Sequence, residues 1–98
     1  MKKLVLTALF MMASASFALA DGKALYAKCI ACHGAQGQNK ALGQSQIIKG
    51  WDKAKIAKAL NGYKDGSYGG AMKGVMKGQV ASYTDAQIDE VSAYIASF

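Results

Sequence analysis

Apolar residues recur at helical spacing near the end of the chain. Four of them lie three or four positions apart: Ile88, Val91, Ile95 and Phe98. This interval places them on one face of a helix. Thr84, with Gln87 three residues later, forms the capping-box pattern that marks the start of a helix. The last segment is therefore predicted to be an amphipathic helix that begins at Thr84.

A second apolar stripe predicts a helix over residues 53–61, with Asp52 as its N-cap and Gly62 at its end. The stripe consists of Ile56, Ala59 and Leu60, and the lysines expected to face water are Lys53, Lys55 and Lys58. The segment from Gly62 to Gly78 contains six glycines, counting both ends. A short further helix is expected near residues 70–76. Such glycines let the backbone approach a flat ligand closely.

The segment after Asp21 contains good helix formers and leads directly into Cys29. A first helix is therefore predicted over residues 22–32, with Asp21 as its N-cap and Gly34 breaking it soon after His33. Residues 38–50 show no sustained period and are predicted to be a loop whose inward contacts are Leu42, Ile47 and Ile48. Strand alternation is missing from residues 21–98, so the predicted class is all-α with three or four short helices.

The first twenty residues have the layout of a secretory signal. A basic start with Lys2 and Lys3 precedes an apolar run, and Ala18-Leu19-Ala20 matches a cleavage site. We expect export to the periplasm and a single domain over residues 21–98, without stable membrane insertion after cleavage. The alternative is an uncleaved anchor, which the small and hydroxylated residues of the run disfavour.

The charge of the chain is positive, and all its basic residues are lysines. The whole chain carries a formal charge of +6, and removal of Lys2 and Lys3 lowers this to +4. A basic surface attracts acidic partners. Nucleic acid is a poor alternative, because the lysines are scattered singly and an exported chain would rarely meet it.

The chemistry of the chain is concentrated in Cys29-Ile30-Ala31-Cys32-His33, which holds both cysteines and the only histidine. Two thiols three residues apart on a helix can each form a thioether with a haem vinyl group, and the adjacent imidazole can bind the iron. A structural zinc site would need four ligands. A redox dithiol or a plain disulfide remains the alternative. Covalent haem would also complete the core of a chain too small to build one alone.

The presence or absence of a second axial ligand would decide whether the sixth coordination position of the iron is occupied or open. Residues 21–98 contain two methionines, Met72 and Met76, and a thioether in the sixth position would close the site. At least one of them is expected to be a core filler. An open sixth position would instead suit an enzyme or a gas sensor. Trp51 could pack on the ring or hydrogen-bond a propionate, or could be an ordinary core residue.

Three segments together resemble the small periplasmic class I cytochromes c, specifically the cytochrome c-553 group. They are Leu25-Tyr26-x-x-Cys29-Ile30-x-Cys32-His33-Gly34, Gly62-Tyr63-x-Asp65-Gly66-Ser67-Tyr68-Gly69-Gly70, and Tyr83-Thr84-Asp85. The resemblance implies one haem c on Cys29 and Cys32, with His33 and Met76, rather than Met72, as axial ligands. It implies an electron carrier and not an enzyme. The expected partners are acidic-patched redox proteins of a respiratory chain, such as a terminal oxidase, reductase or dehydrogenase, bound transiently by a monomer.

The chain departs from the family pattern at one position, and the resemblance also implies how two helices pack. Relatives usually have a proline after the haem motif whose carbonyl accepts the N–H of the proximal histidine, and this chain has no proline. Ile47 takes that place, and its carbonyl could accept the same bond with less rigidity. The resemblance also implies that the first helix packs across the last, with Gly22 and Tyr26 against three residues: Val91, Tyr94 and Ile95.

Overall fold

The computed structural model describes residues 21–43 and 46–98, and in these ranges it contains helices, turns and loops but no strand. Within the described residues, helix α1 runs over 21–33 and includes a 3₁₀ turn at Ala27–Cys29 followed by an α-helical turn at Ile30–His33. A further 3₁₀ turn lies at Ala41–Gly43. The remaining helices are α2 (Lys53–Asp65), α3 (Lys73–Val80) and α4 (Asp85–Ala96). The predicted signal sequence, residues 1–20, lies outside the described residues.

Helix α1 ends where the sequence predicts, but Asp21 is not its N-cap. Asp21 is itself helical, whereas a capping residue has non-helical dihedral angles, so that prediction is wrong. At the other end, the Gly34 amide donates to the Ile30 carbonyl at 2.8 Å, and Gly34 has a φ of 86°. Glycine adopts this conformation without steric cost, which lets the chain leave the helix directly after His33.

Helix α2 begins as predicted and runs further than predicted. The Asp52 carboxylate accepts a hydrogen bond of 2.7 Å from the Lys55 amide, and the apolar stripe is buried. Gly62 does not end the helix, because α2 continues to Asp65 and ends at Gly66, which is left-handed at φ 84°. A Cβ on Gly62 would lie 2.5 Å from the Tyr68 Cβ. Gly62 therefore serves close packing of the next segment on α2.

Helix α3 lies slightly later than the predicted residues 70–76. It starts after Met72, which makes no side-chain capping bond, and Val80 is its buried residue. Helix α4 has the predicted capping box: the Gln87 amide donates to Thr84 Oγ1 at 3.1 Å, and Thr84 N–H donates to Gln87 Oε1 at 2.9 Å. Phe98 lies beyond the end of α4 and packs against the core.

The core forms where α1 and α2 pack on α4. A Cβ on Gly22 would lie 2.7 Å from the Glu90 carbonyl oxygen and 2.8 Å from the Tyr94 Cβ, so only glycine allows this approach of α1 to α4. The Tyr26 and Tyr94 ring centroids are 5.8 Å apart. The predicted packing of the first helix across the last is confirmed. The buried core cluster consists of Tyr26, Ile56, Leu60, Val80, Tyr83, Ile88, Val91 and Ile95.

The segment between α1 and α2 is irregular, as predicted, in its described residues. The amides of Ile48 and Lys49 both donate to the Gly37 carbonyl, at 3.2 and 3.0 Å, and fold the loop back on itself. Of the three predicted inward contacts, Ile48 packs against the core, and Leu42, although 56% exposed, lines the internal cavity with it. Ile47 is 46% exposed and does not line that cavity. Within the described part of the chain, no helix combines the length and apolarity needed to cross a bilayer.

Candidate functional site

A cavity of about 330 Å³ lies between the loop and the helices. Six residues singled out by their chemistry all line it: Cys29, Cys32, His33, Trp51, Met72 and Met76. These residues come from α1, from the residue before the α2 cap, and from the glycine-rich segment with α3. The fold thus brings together side chains that are up to 47 positions apart in the sequence.

The wall of the cavity is mostly apolar and aromatic. Its core-forming lining residues are Tyr26, Ile48, Ile56, Leu60, Val80, Tyr83, Val91 and Ile95, and Tyr63 and Tyr68 line it beside Gly69 and Gly70. Tyr63 and Tyr68 pack edge to face with centroids 5.1 Å apart. Because Gly69 and Gly70 carry no side chain, their backbone borders the cavity directly. A flat, largely apolar ligand would fit such a wall.

Helix α1 presents both thiols to the cavity. Cys29 and Cys32 are free and partly buried, and their spacing of three places them on one side of the helix. Burial raises the pKa of the Cys29 thiol, and Cys32 raises it further, while Lys28 opposes the shift. Burial therefore favours the neutral thiol of Cys29 over its thiolate.

His33 is almost fully enclosed, with 6% of its surface exposed. Burial lowers the pKa of its imidazole, so the ring is neutral at pH 7 and keeps a lone pair for a metal. Its Nδ1 is buried and has no hydrogen-bond partner among the described residues. A neutral imidazole at the wall of a cavity, next to two thiols, is the donor set that covalent haem requires.

The predicted hydrogen bond from His33 to the Ile47 carbonyl is not formed, because Nδ1 is unpartnered. Ile47 is exposed, and the amides of the two following residues are engaged by Gly37. The hydrogen bond that the Ile47 carbonyl could accept in place of the proline is therefore absent from this structure.

The two methionines occupy different environments on the same side of the cavity. Met72 precedes α3 and is 41% exposed, whereas Met76 lies within α3 and packs against the core. Both line the cavity. The packed position of Met76 limits its movement more than the exposed position of Met72. Which of them binds iron stays a prediction.

Two tyrosines were not predicted as functional residues, and both hold the turn of α1 that carries the thiols and the histidine. The Tyr26 hydroxyl donates to the Gly34 carbonyl at 2.6 Å, and the Tyr83 hydroxyl donates to the Leu25 carbonyl. Tyr26 stands three residues before Cys29, so its place on the same helix face was a usable signal. Tyr83 gave no such signal, because its contact depends on how the α3–α4 connection packs on α1.

Within residues 21–43 and 46–98, no group of three or more His, Cys, Asp or Glu side chains is arranged to hold a metal ion. Cys29 and Cys32 are not joined in a disulfide.

The family model for cytochrome c matches residues 19–98. The chain belongs to the cytochrome c family. The all-helical architecture is that of a small class I cytochrome c, which confirms the predicted fold class. The predicted resemblance to this family is confirmed as well.

Individual relatives place the chain in the c-553 group. It is 43% identical to cytochrome c-553 of Nitratidesulfovibrio vulgaris over 77 residues, which cover 79% of this chain and 76% of the relative. It is 42% identical to cytochrome c-553 of Desulfomicrobium norvegicum over 78 residues, covering 79% and 95%. It is 36% identical to cytochrome c-553 of Helicobacter pylori over 96 residues, covering 97% and 96%.

Membership of the cytochrome c family makes covalent haem c the cofactor and electron transfer the activity. The residues of this chain fit that cofactor. Two free thiols and an imidazole whose pKa is lowered by burial line a largely apolar cavity, and the chain has no other cysteine or histidine.

Proposed function

We propose that this cytochrome c is a periplasmic monohaem carrier that shuttles single electrons between respiratory redox partners, with His33 and Met76 as axial ligands. The observation that carries the proposal is the arrangement of Cys29, Cys32, His33 and Met76 around one largely apolar cavity. Haem supplies an iron that exchanges one electron between its ferrous and ferric states. The chain does not act as an enzyme in this proposal.

Each residue of the site has a separate task. Cys29 and Cys32, three residues apart on one side of α1, would form the two thioether links and hold the macrocycle against this helix. His33 binds through its neutral imidazole, which burial keeps unprotonated. Met76, which packs against the core and lines the cavity, would supply a thioether as the second axial ligand and so close the sixth position. Trp51 borders the cavity, and its indole N–H is suited to a propionate.

The basic test is whether the exported protein carries one covalent haem. A haem stain after denaturing electrophoresis should mark the protein, and intact mass should exceed that of the polypeptide by one haem. An optical redox titration should follow a single one-electron transition. A colourless protein with the mass of the polypeptide alone would refute the proposal.

The sixth ligand is tested by removing each methionine in turn. Met76→Ala should abolish the ferric absorption band that arises from thioether binding to iron, while Met72→Ala should keep it. Persistence of the band in Met76→Ala and its loss in Met72→Ala would make Met72 the ligand. If wild-type protein lacks the band and binds added ligands freely, the site is open and suits a sensor or an enzyme instead.

Lysines beside the cavity support an acidic docking partner. Lys28 and Lys73 line the cavity, Lys77 lies on exposed α3, and no acidic residue occurs between Gly66 and Thr84. A surface that carries only positive charges beside the site of electron transfer would steer a negatively charged partner into transient contact. The proposed partners are oxidases, reductases or dehydrogenases that have an acidic surface patch. This chain would bind them transiently as a monomer. Mixing with a purified acidic redox protein should accelerate electron exchange at low salt.

Periplasmic location depends on the N-terminal segment. Residues 1–20 have the layout of a secretory signal, so the exported protein should begin at Asp21. Peptide sequencing of the N-terminus of the periplasmic protein tests this directly. Recovery of the full-length chain in the membrane fraction would indicate a retained anchor.

A further inference from the structure

Lys55 lies at a position of α2 that helix stability does not explain. It is the third residue after the Asp52 cap, in a first turn that contains no acidic residue. A glutamine here could accept the backbone N–H of the cap residue, as Gln87 does for Thr84 in α4. The start of a helix also carries partial positive charge, which disfavours a nearby lysine. Lysine at this place therefore costs α2 some local stability.

The ammonium of Lys55 lies over an aromatic ring. Lys55 Nζ is 3.9 Å from the centroid of the Trp51 ring, and a cation within roughly 6 Å of a ring centroid is attracted to the ring face, most strongly for tryptophan. Among the described residues, Lys55 forms no ion pair, whereas Lys53 in the same turn pairs with Asp89 at 3.1 Å. The indole ring is therefore the feature of the structure that holds the Lys55 charge in place.

Trp51 connects this charge to the cavity. The residue lines the cavity and packs against the core, and its amide donates to the Ile48 carbonyl at 3.1 Å, which fixes the backbone just before α2. Lys55 itself does not line the cavity. Its ammonium is therefore held against a ring that borders the site, whereas an exposed lysine without such a contact keeps its charge mobile in solvent.

We propose that Lys55 is a positioning residue of the electron carrier, which holds the Trp51 indole against the cavity and keeps a positive charge there that favours the ferrous state. Reduction adds one electron to the iron, so a fixed cation nearby is repelled less by the ferrous form than by the ferric form. The positive end of α2 acts in the same direction. This inference goes beyond the proposed function, because it names a residue that sets the balance between the two iron states. It rests on haem in the cavity and not on which methionine is the sixth ligand.

The test compares Lys55→Gln with Lys58→Gln in the haem-loaded protein. Both substitutions remove one positive charge from α2, but Lys58 is exposed and contacts neither the Trp51 ring nor the cavity. At low salt and one fixed applied potential, Lys55→Gln should lower the ratio of ferrous to ferric protein about 2- to 5-fold, as expected for loss of a unit charge at an intermediate effective dielectric constant. Lys58→Gln should lower this ratio clearly less.

Thermal unfolding separates this effect from damage to the fold. Glutamine at position 55 can accept the Asp52 N–H and removes a cation from the positive end of α2, which offsets the lost ring contact. The midpoint of unfolding of Lys55→Gln should therefore stay close to that of the wild type. A lower ferrous fraction in a protein of unchanged stability is the result expected of a positioning residue.

The contact itself is visible by nuclear magnetic resonance. Trp51 is the only tryptophan of the chain, so its indole signals need no further assignment. In the ferrous protein, the side-chain protons of Lys55 next to the nitrogen should be shifted upfield by the indole ring current, unlike those of Lys58. Trp51→Leu should abolish this shift and should also reduce the effect of Lys55→Gln on the ferrous-to-ferric ratio.

Three results would overturn the inference. They are equal ferrous-to-ferric ratios in Lys55→Gln and Lys58→Gln, Lys55 signals in the wild type that match those of Lys58, and an undiminished effect of Lys55→Gln in the Trp51→Leu background. The first two do not require that Trp51→Leu folds. Failure of the proposed function is seen separately, because the haem stain reports haem attachment and the absorption band of Met76→Ala reports the sixth ligand.

Discussion

The Tyr26 hydroxyl donates a hydrogen bond of 2.6 Å to the carbonyl of Gly34, the residue directly after His33. Tyr26 is 1% exposed, and its ring packs edge to face on Phe98 with centroids 5.0 Å apart. The bond joins the middle of α1 to the turn that ends it. The position of His33 at the cavity wall therefore depends on a side chain that belongs to the core.

Tyr26→Phe is expected to destabilise the protein while keeping its core packing. The substitution removes the hydroxyl and leaves the carbonyl of Gly34, a buried residue, without its partner, which costs about 1–3 kcal/mol. Chemical denaturation should show this loss in the free energy of unfolding. Tyr68→Phe removes the same atom from an exposed ring and should change stability by less than about 0.5 kcal/mol.

The same tyrosine makes the fold sensitive to alkali. Burial raises the pKa of Tyr26 from 10.0 to about 12, so the neutral hydroxyl is favoured in the folded state. Its contribution to stability is complete below pH 10.0 and is lost as the pH rises through about 12. Burial also raises the pKa of Tyr63 and Tyr83, which adds to the loss. Unfolding curves across this range should show a smaller decline for Tyr26→Phe than for the wild type.

Local signals in the sequence predicted the starts of α2 and α4 correctly. Asp52 and Thr84 act within one turn of their own helix, so their patterns needed no tertiary information. Cys29, Cys32 and His33 are neighbours in the chain, and helical spacing alone places them on one side. The caps and the helical spacing explain where α2 and α4 begin and why α1 contributes its three polar side chains to one wall of the cavity.

Features that depend on distant contacts were missed. Gly62 continues α2 because Tyr68 packs over it, and a glycine after an amphipathic stretch is ordinarily a stop signal. The amides of Ile48 and Lys49 bond to Gly37, and the Ile47 carbonyl accepts no bond from His33 Nδ1; no local pattern indicates either feature. Asp21 failed as a cap because the helix already includes it.

Gly22→Ala is expected to push α1 away from α4. The added Cβ would meet backbone oxygen of Glu90 and Cβ of Tyr94 at under 3 Å, and such overpacking costs about 1–3 kcal/mol because backbone cannot move aside cheaply. The midpoint of thermal unfolding should fall. Lys23→Ala, at the next and exposed position, is the control and should leave the midpoint nearly unchanged. Equal stability of both variants would contradict the close approach of α1 and α4.

Ser92→Ala is expected to stabilise the protein. The Ser92 hydroxyl oxygen is buried and has no partner among the described residues, and the side chain is 0% exposed. Replacing an unsatisfied buried hydroxyl by a methyl group in a helix should raise the free energy of unfolding by about 1 kcal/mol. Thr84→Ala gives the opposite sign for comparison, because it removes the α4 cap and costs about 1 kcal/mol. A loss of stability in Ser92→Ala would show that the hydroxyl is hydrogen-bonded in solution.

Steering by lysines beside the cavity can be measured with a small anionic oxidant. Ferricyanide should oxidise the ferrous protein more slowly as salt rises, because exposed charges are screened over about 10 Å at 0.1 M ionic strength. Lys73→Glu, at the cavity, should lower the low-salt rate more than Lys58→Glu, which makes the same charge change at an exposed position of α2 that does not line the cavity. A cationic cobalt oxidant should show the reverse order. Equal effects of the two substitutions would mean that net charge, and not the surface beside the cavity, controls the encounter.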